Sequence, residues 1–134
     1  MSFVLDASVT MAWCFADEVN AYTETVLERL QSSAALVPAI WPLEVANVLL
    51  VSERRQRLTQ AQTTRFVELL QALPITVDRG QKGLDSLLAL GREHKLSAYD
   101  AAYLELATRL GLALATQDAR LSAAAIAIGV SLVE

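Results

Sequence analysis

Four carboxylates stand apart from the other acidic residues of this chain, because each either follows a short apolar run or lies in otherwise apolar sequence. Asp6 directly follows a short apolar run, and Glu44 and Asp100 are each flanked on both sides by apolar residues. Asp118 follows another apolar run, which ends at Thr116. An ionised carboxylate is costly to bury unless it is paired. These four residues are therefore candidates for one shared site.

The partner that such carboxylates need is not found in the nearby sequence. No lysine or arginine lies within four positions of Asp6, Glu44 or Asp100. A bound divalent cation is the simplest alternative to a lysine or arginine as the partner of these carboxylates. The chain has one cysteine and one isolated histidine, so the donors would all be oxygens, which suits a hard ion such as Mg²⁺ or Mn²⁺.

Each of the four carboxylates also has an ordinary structural interpretation. Asp6 and Asp118 fit the N-cap position of a helix, and Glu44 fits the first turn, where the helix dipole favours an acid. Residues 97–100 match the capping-box pattern, which would give Asp100 a structural role. These alternatives stay open, although they explain poorly why Glu44 and Asp100 sit in apolar surroundings.

The elements that position these residues follow from an alternation of short apolar runs with longer segments of helical period, which predicts an α/β fold with a parallel sheet. Five strands are expected at residues 3–5, 35–37, 75–77, 112–116 and 130–133. Six or seven helices are expected, including segments 21–30, 42–55, 60–73, 84–94, 97–111 and 119–127. The carboxyl ends of parallel strands share one edge, so Asp6 and Asp118 should meet there. Glu44 and Asp100 begin helices that can point into the same cleft.

Length and composition limit the class of protein. The chain has 134 residues, of which 54% are hydrophobic and 19% charged, which favours one folded domain over residues 1–134 and excludes a disordered chain. The uncharged stretch near the end, residues 121–133, is shorter than the ~20 residues that span a bilayer. The N-terminus lacks the basic segment of a signal peptide, and a lone Cys14 excludes an internal disulfide. We therefore expect a cytoplasmic protein without a membrane partner.

The sequence around the four carboxylates resembles a known family. The four matching segments are Leu5-Asp6-Ala7-Ser8, Pro42-Leu43-Glu44-Val45-Ala46-Asn47, Tyr99-Asp100-Ala101-Ala102-Tyr103 and Thr116-Gln117-Asp118-Ala119-Arg120-Leu121. In this order they resemble the acidic motifs of PIN-domain ribonucleases, and most of all those of VapC-like toxins of type II toxin–antitoxin systems. The resemblance covers essentially the whole chain.

The resemblance implies a three-layer α/β/α sandwich with a central parallel sheet. It also implies an acidic pocket formed by Asp6, Glu44, Asp100 and Asp118, with Ser8 and Thr116 as supporting hydroxyls. Asp6, Asp100 and Asp118 would be the first choices as direct or water-mediated ligands of Mg²⁺ or Mn²⁺. Glu44 would be a further ligand or would orient the attacking water.

The implied activity is that of a Mg²⁺-dependent endoribonuclease that hydrolyses RNA phosphodiester bonds. A cognate antitoxin protein and a second copy of the chain, in a homodimer, are the implied partners. Two alternatives remain, a non-catalytic partner-binding domain with the same fold and a phosphatase or phosphoacceptor module with Asp6 as nucleophile. Ser8 lies where a phosphatase of the haloacid-dehalogenase type would carry its second acid, which counts against the latter.

The net charge of −4 at first argues against an RNA substrate. However, fifteen acids less the four candidate carboxylates leave eleven, which equals the eleven lysines and arginines. Outside the acidic pocket the chain is thus electrically balanced. Arg54, Arg55 and Arg57 form the densest basic cluster, either as a contact for the RNA backbone or as a solvated helix end.

Overall fold

The computed structural model describes residues 1–80 and 83–134 of the chain. In this part of the chain, four strands form the sheet: β1 (Phe3–Leu5), β2 (Ala35–Pro38), β3 (Ile75–Asp78) and β4 (Ala113–Ala115). The helices are α1 (Ala7–Ala12), α2 (Ala21–Arg29), α3 (Trp41–Arg54), α4 (Gln60–Ala72), α5 (Leu84–His94), α6 (Ala98–Leu110) and α7 (Ala119–Ala127). None of these helices is long and apolar enough to cross a membrane.

Local sequence signals explain where several helices begin and end. Asn20 and Thr59 cap α2 and α4 with side-chain oxygens, and in each case a reciprocal bond completes a capping box. Pro42 lies in the first turn of α3, where its missing N–H costs nothing. Helix α6 ends at Gly111, whose φ of 66° is a left-handed conformation that glycine adopts without strain.

The order of the strands in the sheet creates a crevice beside β1. All strands are parallel, and their order is β3-β2-β1-β4. The chain moves from β1 outwards through β2 to β3, and then returns to place β4 on the other side of β1. In open α/β sheets, ligands bind at such a reversal, outside the carboxyl ends of the strands. Here the reversal lies between β1 and β4.

Helices cover both faces of the sheet. On one face, Val4 of β1 and Leu114 of β4 pack in a core with α6 and α7. On the other face, Phe3 and Leu5 pack against residues of α1 and α2. A third apolar cluster joins the end of α1 to α3 and α4. The alternation of side chains along a strand produces this three-layer arrangement, as the sequence predicts.

Two expectations from the sequence need correction. The predicted fifth strand at 130–133 is reduced to one bridge between Leu132 and Leu114, so the described residues form a four-stranded sheet. Gly129, at φ 81°, turns the chain just before this segment. Leu114 is the strand residue that exchanges backbone hydrogen bonds with the segment, while the N–H of Val130 donates to the carbonyl oxygen of Ala125 in α7. Helix α1 is a further element, which the hydrophobic pattern did not indicate. The other predicted elements agree with the observed ends within one residue.

Candidate acidic site

The site lies at the crevice between the carboxyl ends of β1 and β4. Asp6 is the first residue after β1, and its backbone N–H donates a 3.0 Å hydrogen bond to the carbonyl oxygen of Ala115, the last residue of β4. Asp118 begins α7, three residues after β4 ends. The parallel pairing of the two strands therefore brings these two carboxylates to the same place, as their position after the strands predicts.

Two hydroxyl groups hold the carboxylate of Asp6. Ser8 Oγ donates to Asp6 Oδ2 at 2.7 Å, and Thr116 Oγ1 donates to the same oxygen at 2.6 Å. Asp6 is only 5% exposed. It lies at the N-cap position of α1 but makes no side-chain cap bond, so capping does not explain it. Because both hydroxyls bind Oδ2, neither occupies the other oxygen of this carboxylate.

Asp118 combines the capping role with a place in the crevice. Its Oδ1 accepts a 2.9 Å hydrogen bond from the backbone N–H of Leu121, which makes Asp118 the N-cap of α7. Its own backbone N–H donates to Thr116 Oγ1 at 3.0 Å. Thr116 therefore accepts from Asp118 and donates to Asp6, and so fixes the relative position of the two residues.

Glu44 reaches the site from the first turn of α3. Its Oε1 accepts a hydrogen bond of 2.6 Å from the phenol of Tyr103, which lies in α6. Asp100, in the first turn of the same helix α6, is half-buried. Its backbone N–H donates to Ser97 Oγ at 3.1 Å, so Ser97 is the cap of this helix and Asp100 occupies the first turn beyond it.

Burial and the charges of nearby acids raise the pKa values of Asp6, Glu44 and Asp100. Burial, and to a smaller extent the charge of Asp118, raises the pKa of Asp6. Burial also raises the pKa of Glu44, and the charges of Asp6 and Asp100 add to this. Burial raises the pKa of Asp100, followed by the charges of Asp118 and Asp6. The pKa values of Asp6, Glu44 and Asp100 are thus each raised in part by a neighbouring acid, and hydrogen bonds from Ser8, Thr116 and Tyr103 oppose the rise at Asp6 and Glu44 only in part.

No salt bridge of the described residues reaches any of the four carboxylates. The donor set consists of oxygens alone and carries an excess of negative charge, which suits a hard divalent cation. In the arrangement of residues 1–80 and 83–134, no three acidic, histidine or cysteine side chains converge on one point. Mg²⁺ usually retains several waters and needs only one or two carboxylates, so the set still fits such an ion.

The basic cluster of Arg54, Arg55 and Arg57 lies at the C-terminal end of α3, and one of its members packs against other parts of the chain. Arg57 forms ion pairs with Asp17 at 3.4 Å and Glu18 at 3.2 Å, and its guanidinium lies 4.1 Å from the centre of the Phe15 ring. These contacts fasten the segment between α1 and α2 to the turn between α3 and α4. Arg57 therefore has a structural role, while Arg54 and Arg55 are exposed at the end of α3.

Several residues around the site were not singled out by the sequence as parts of it. Tyr103 is one, because its aromatic ring in an apolar helix indicates ordinary core packing. Gln117 is another: its backbone N–H donates to Ser8 Oγ at 3.2 Å, and its Nε2 donates to the carbonyl oxygen of Ser8 at 3.3 Å. Asn20 Nδ2 in turn donates to Gln117 Oε1 at 2.7 Å. Tyr103 and Gln117 lie within the matching segments 99–103 and 116–121, which could have indicated them, whereas no signal in the sequence indicated Asn20.

Comparisons with known proteins agree with this architecture. The family model described as "PIN domain" matches residues 3–127. Ribonuclease VapC3 of Mycobacterium tuberculosis is 39% identical over 101 residues, which cover 74% of this chain and 71% of that protein. Ribonuclease VapC3 of Pyrobaculum aerophilum is 31% identical over 124 residues, or 91% of this chain and 93% of that protein.

A solved structure shows the same fold. The crystal structure of PAE2754 from Pyrobaculum aerophilum superposes with a TM-score of 0.70 at 27% identity, and the match covers 92% of this chain and 79% of that one. The match of the family model extends from β1 to α7 and so includes all four acidic motifs. The chain therefore belongs to the PIN domain family.

Proposed function

We propose that this protein is a metal-dependent endoribonuclease that acts as the toxin of a toxin–antitoxin pair. The observation that carries the proposal is the acidic site, in which Asp6, Glu44, Asp100 and Asp118 share one crevice without a salt bridge from the described residues. The names of the relatives support the activity, since both are ribonucleases of the VapC type. The alternative with Asp6 as a phosphoacceptor is less favoured, because Ser8 lies where a phosphatase of the haloacid-dehalogenase type would carry its second acid.

The residues of the chain have separate tasks in this proposal. Asp6, Asp100 and Asp118 would hold a divalent cation, Mg²⁺ or Mn²⁺, directly or through its waters, and Glu44 would be a further ligand or would orient the attacking water. When bound, such a cation activates a water for in-line attack on phosphorus and stabilises the developing negative charge. Ser8 and Thr116 keep Asp6 in place, and the excess negative charge prevents the scissile phosphate from binding before the cation does. A hydrolysis of this kind leaves a 5′-phosphate and a 3′-hydroxyl.

We expect the purified protein to cleave RNA in the presence of Mg²⁺ or Mn²⁺ and to stop when EDTA is added. Asp6→Asn, Asp100→Asn and Asp118→Asn should each reduce the rate by about 100-fold or more, since loss of a partner behind a metal ligand already costs 10- to 100-fold. Cleavage is measured on a labelled RNA, and the product ends are identified by their reactivity with kinase and phosphatase.

Asp85→Asn is the matched control for this experiment. Asp85 is an exposed acid in the first turn of α5, as Asp100 is a half-buried one in the first turn of α6. The control should cleave at the rate of the unaltered protein. Undiminished cleavage by the unaltered protein in EDTA would contradict the metal-dependent mechanism. Undiminished cleavage by all three site variants in the presence of Mg²⁺ would contradict it as well.

A toxin should arrest growth through the same acidic site. We expect expression of the unaltered protein in bacterial cells to stop growth, and expression of Asp100→Asn to leave growth normal. Co-expression of a cognate antitoxin that covers the crevice should restore growth. Equal growth with the unaltered and the Asp100→Asn forms, at equal protein levels, would remove the toxin assignment and leave the nuclease assignment standing. The expected cytoplasmic location stays a prediction, which fractionation of these cells can check.

We also propose that the protein is a homodimer. Leu43 and Tyr99, the residues just before Glu44 and Asp100, are 67% and 59% exposed. Together with Leu87 they line an apolar hollow of about 310 Å³ between α3, α5 and α6. Exposed apolar patches of this kind mark interaction surfaces. Light scattering after gel filtration should give twice the 14.5 kDa mass of the chain, and a monomer mass at micromolar concentration would refute the dimer.

The raised carboxyl pKa values predict how the metal-free protein responds to pH. A carboxyl group whose pKa is higher in the folded than in the unfolded state stabilises the fold fully below the ordinary pKa of about 4. That stabilisation is lost as the pH rises through the raised pKa. In EDTA, Asp100→Asn should therefore melt several degrees higher than the unaltered protein at pH 8, and the difference should shrink towards pH 4.

The size of this effect can be measured by thermal melting, since about 1 kcal/mol shifts the Tm of such a domain by roughly 2–8 °C. Mg²⁺ at pH 8 should raise the Tm of the unaltered protein more than that of Asp100→Asn. Asp85→Asn again serves as the control. It should match the unaltered protein both in its Tm in EDTA at pH 8 and in the rise of its Tm when Mg²⁺ is added. If Asp100→Asn melts lower than the unaltered protein at pH 8 in EDTA, the repulsion account of this position is wrong.

A further inference from the structure

Tyr103 makes an unusual contact for a core residue. Its side chain is fully buried, at 0% exposure, in the middle of α6. Its hydroxyl nevertheless donates a 2.6 Å hydrogen bond to Glu44 Oε1, which belongs to α3. A buried tyrosine hydroxyl needs a polar partner. Here the partner is a carboxylate of the acidic site, 59 positions away in the sequence.

This bond limits the freedom of the Glu44 side chain. A glutamate has three rotatable side-chain bonds, and ordering it when a ligand binds costs conformational entropy. The Tyr103 ring has few torsions and is held by the core, so it offers a fixed point for Oε1. The carboxylate is thereby ordered before a ligand arrives. The bond leaves Oε2, the other oxygen of Glu44, unoccupied by Tyr103.

The same arrangement is found at Asp6 on the other side of the crevice. There, the hydroxyls of Ser8 and Thr116 both bind Oδ2 and leave the second oxygen to other partners. A hydroxyl donor orients a carboxylate without neutralising it, as a lysine or arginine would. At both carboxylates, therefore, protein hydroxyls bind one oxygen, and at Asp6 the backbone of Ala7 adds a further hydrogen bond.

We propose that Tyr103 is a positioning residue, which holds one oxygen of Glu44 so that the other faces the cation or the attacking water. The inference rests on the proposed metal-dependent function. It assigns to Tyr103 a role that acts through Glu44 and requires no contact between Tyr103 and the substrate. The role also explains why a phenol, rather than a phenylalanine ring, is buried at this position.

Removal of the hydroxyl tests this role. Tyr103→Phe keeps the ring in the core. We expect this variant to bind Mn²⁺ at least about 10-fold more weakly in the absence of RNA, because residues that hydrogen-bond to metal ligands contribute about 10- to 100-fold to metal affinity. Mn²⁺ binding is measured by electron paramagnetic resonance of the free ion. At a fixed Mn²⁺ concentration, the kcat of Tyr103→Phe for RNA cleavage should fall in proportion to its loss of Mn²⁺ affinity. The KM of this variant for RNA should change less than about twofold.

Thr108→Val is the matched control, because it removes a hydroxyl from the same helix at an exposed residue outside the acidic motifs. It should bind Mn²⁺ as the unaltered protein does. In a Glu44→Ala background, Tyr103→Phe should have no further effect on Mn²⁺ affinity. An equal loss of affinity in both backgrounds would show a general packing role and overturn the proposal.

A spectroscopic measurement covers the case in which Tyr103→Phe does not fold. The chain has three tyrosines, so the ¹³C-labelled Tyr103 ring can be assigned by nuclear magnetic resonance. Its resonances should shift when Mg²⁺ is added to the unaltered protein, and Glu44→Gln should abolish that response. Tyr103 resonances that ignore Mg²⁺ while the ion binds would overturn the proposal.

The outcomes distinguish failure of the proposed function from failure of the positioning role of Tyr103. If the unaltered protein binds no Mn²⁺ and cleaves no RNA, the proposed function fails, and with it the role of Tyr103. If the unaltered protein does both and Tyr103→Phe matches it in both, only the positioning role fails.

Discussion

The structure depends on one constraint, the burial of the Asp6 carboxylate at the end of the central strand β1. Asp6 must end β1 beside β4, because its backbone N–H binds the last carbonyl oxygen of that strand. Its side chain then lies in a crevice where water is largely excluded and where Asp118 adds negative charge. A carboxylate in such a place needs either a cation or a set of hydrogen-bond donors. The protein supplies the donors, Ser8 and Thr116, and none of the salt bridges within its described residues reaches Asp6.

The use of hydroxyl donors in place of cationic side chains has a consequence for function. An arginine beside Asp6 would lower its pKa and stabilise the fold, but it would also compete with a bound cation for the same oxygen. Hydroxyls hold the carboxylate and leave its charge in place. The chain does place arginine in a buried acid cluster elsewhere, since Arg109 pairs with Glu105 at 2.6 Å and with Asp78 at 2.9 Å. Arginine thus pairs with the acids of that cluster, whereas no salt bridge of the described residues reaches the four acids of the crevice.

The sequence predicts most of the fold, because short apolar runs and helical periods are local patterns that locate the strands and helices. Local patterns also select Asp6, Glu44, Asp100 and Asp118 as candidates, since each follows an apolar run or lies among apolar residues, and their role in the site stays a prediction. Helix α1 was missed for a physical reason: five of its six residues are buried, so it has no polar face to produce a helical period. The fifth strand was overpredicted because residues 130–133 are apolar enough for a strand, whereas the backbone pairs at Leu114 alone.

The contacts that complete the site could not be predicted, because they join residues that are distant in the sequence. The bond from Tyr103 to Glu44 depends on how α3 and α6 pack, and the bond from Thr116 to Asp6 depends on the pairing of β4 with β1. A sequence shows which side chains are able to donate, but the sheet order decides which of them meet. Since β4 lies beside β1 and not at the far edge beyond β3, Thr116 arrives at Asp6. The strand order therefore sets the chemistry of the crevice, because it selects hydroxyls and acids as the neighbours of Asp6.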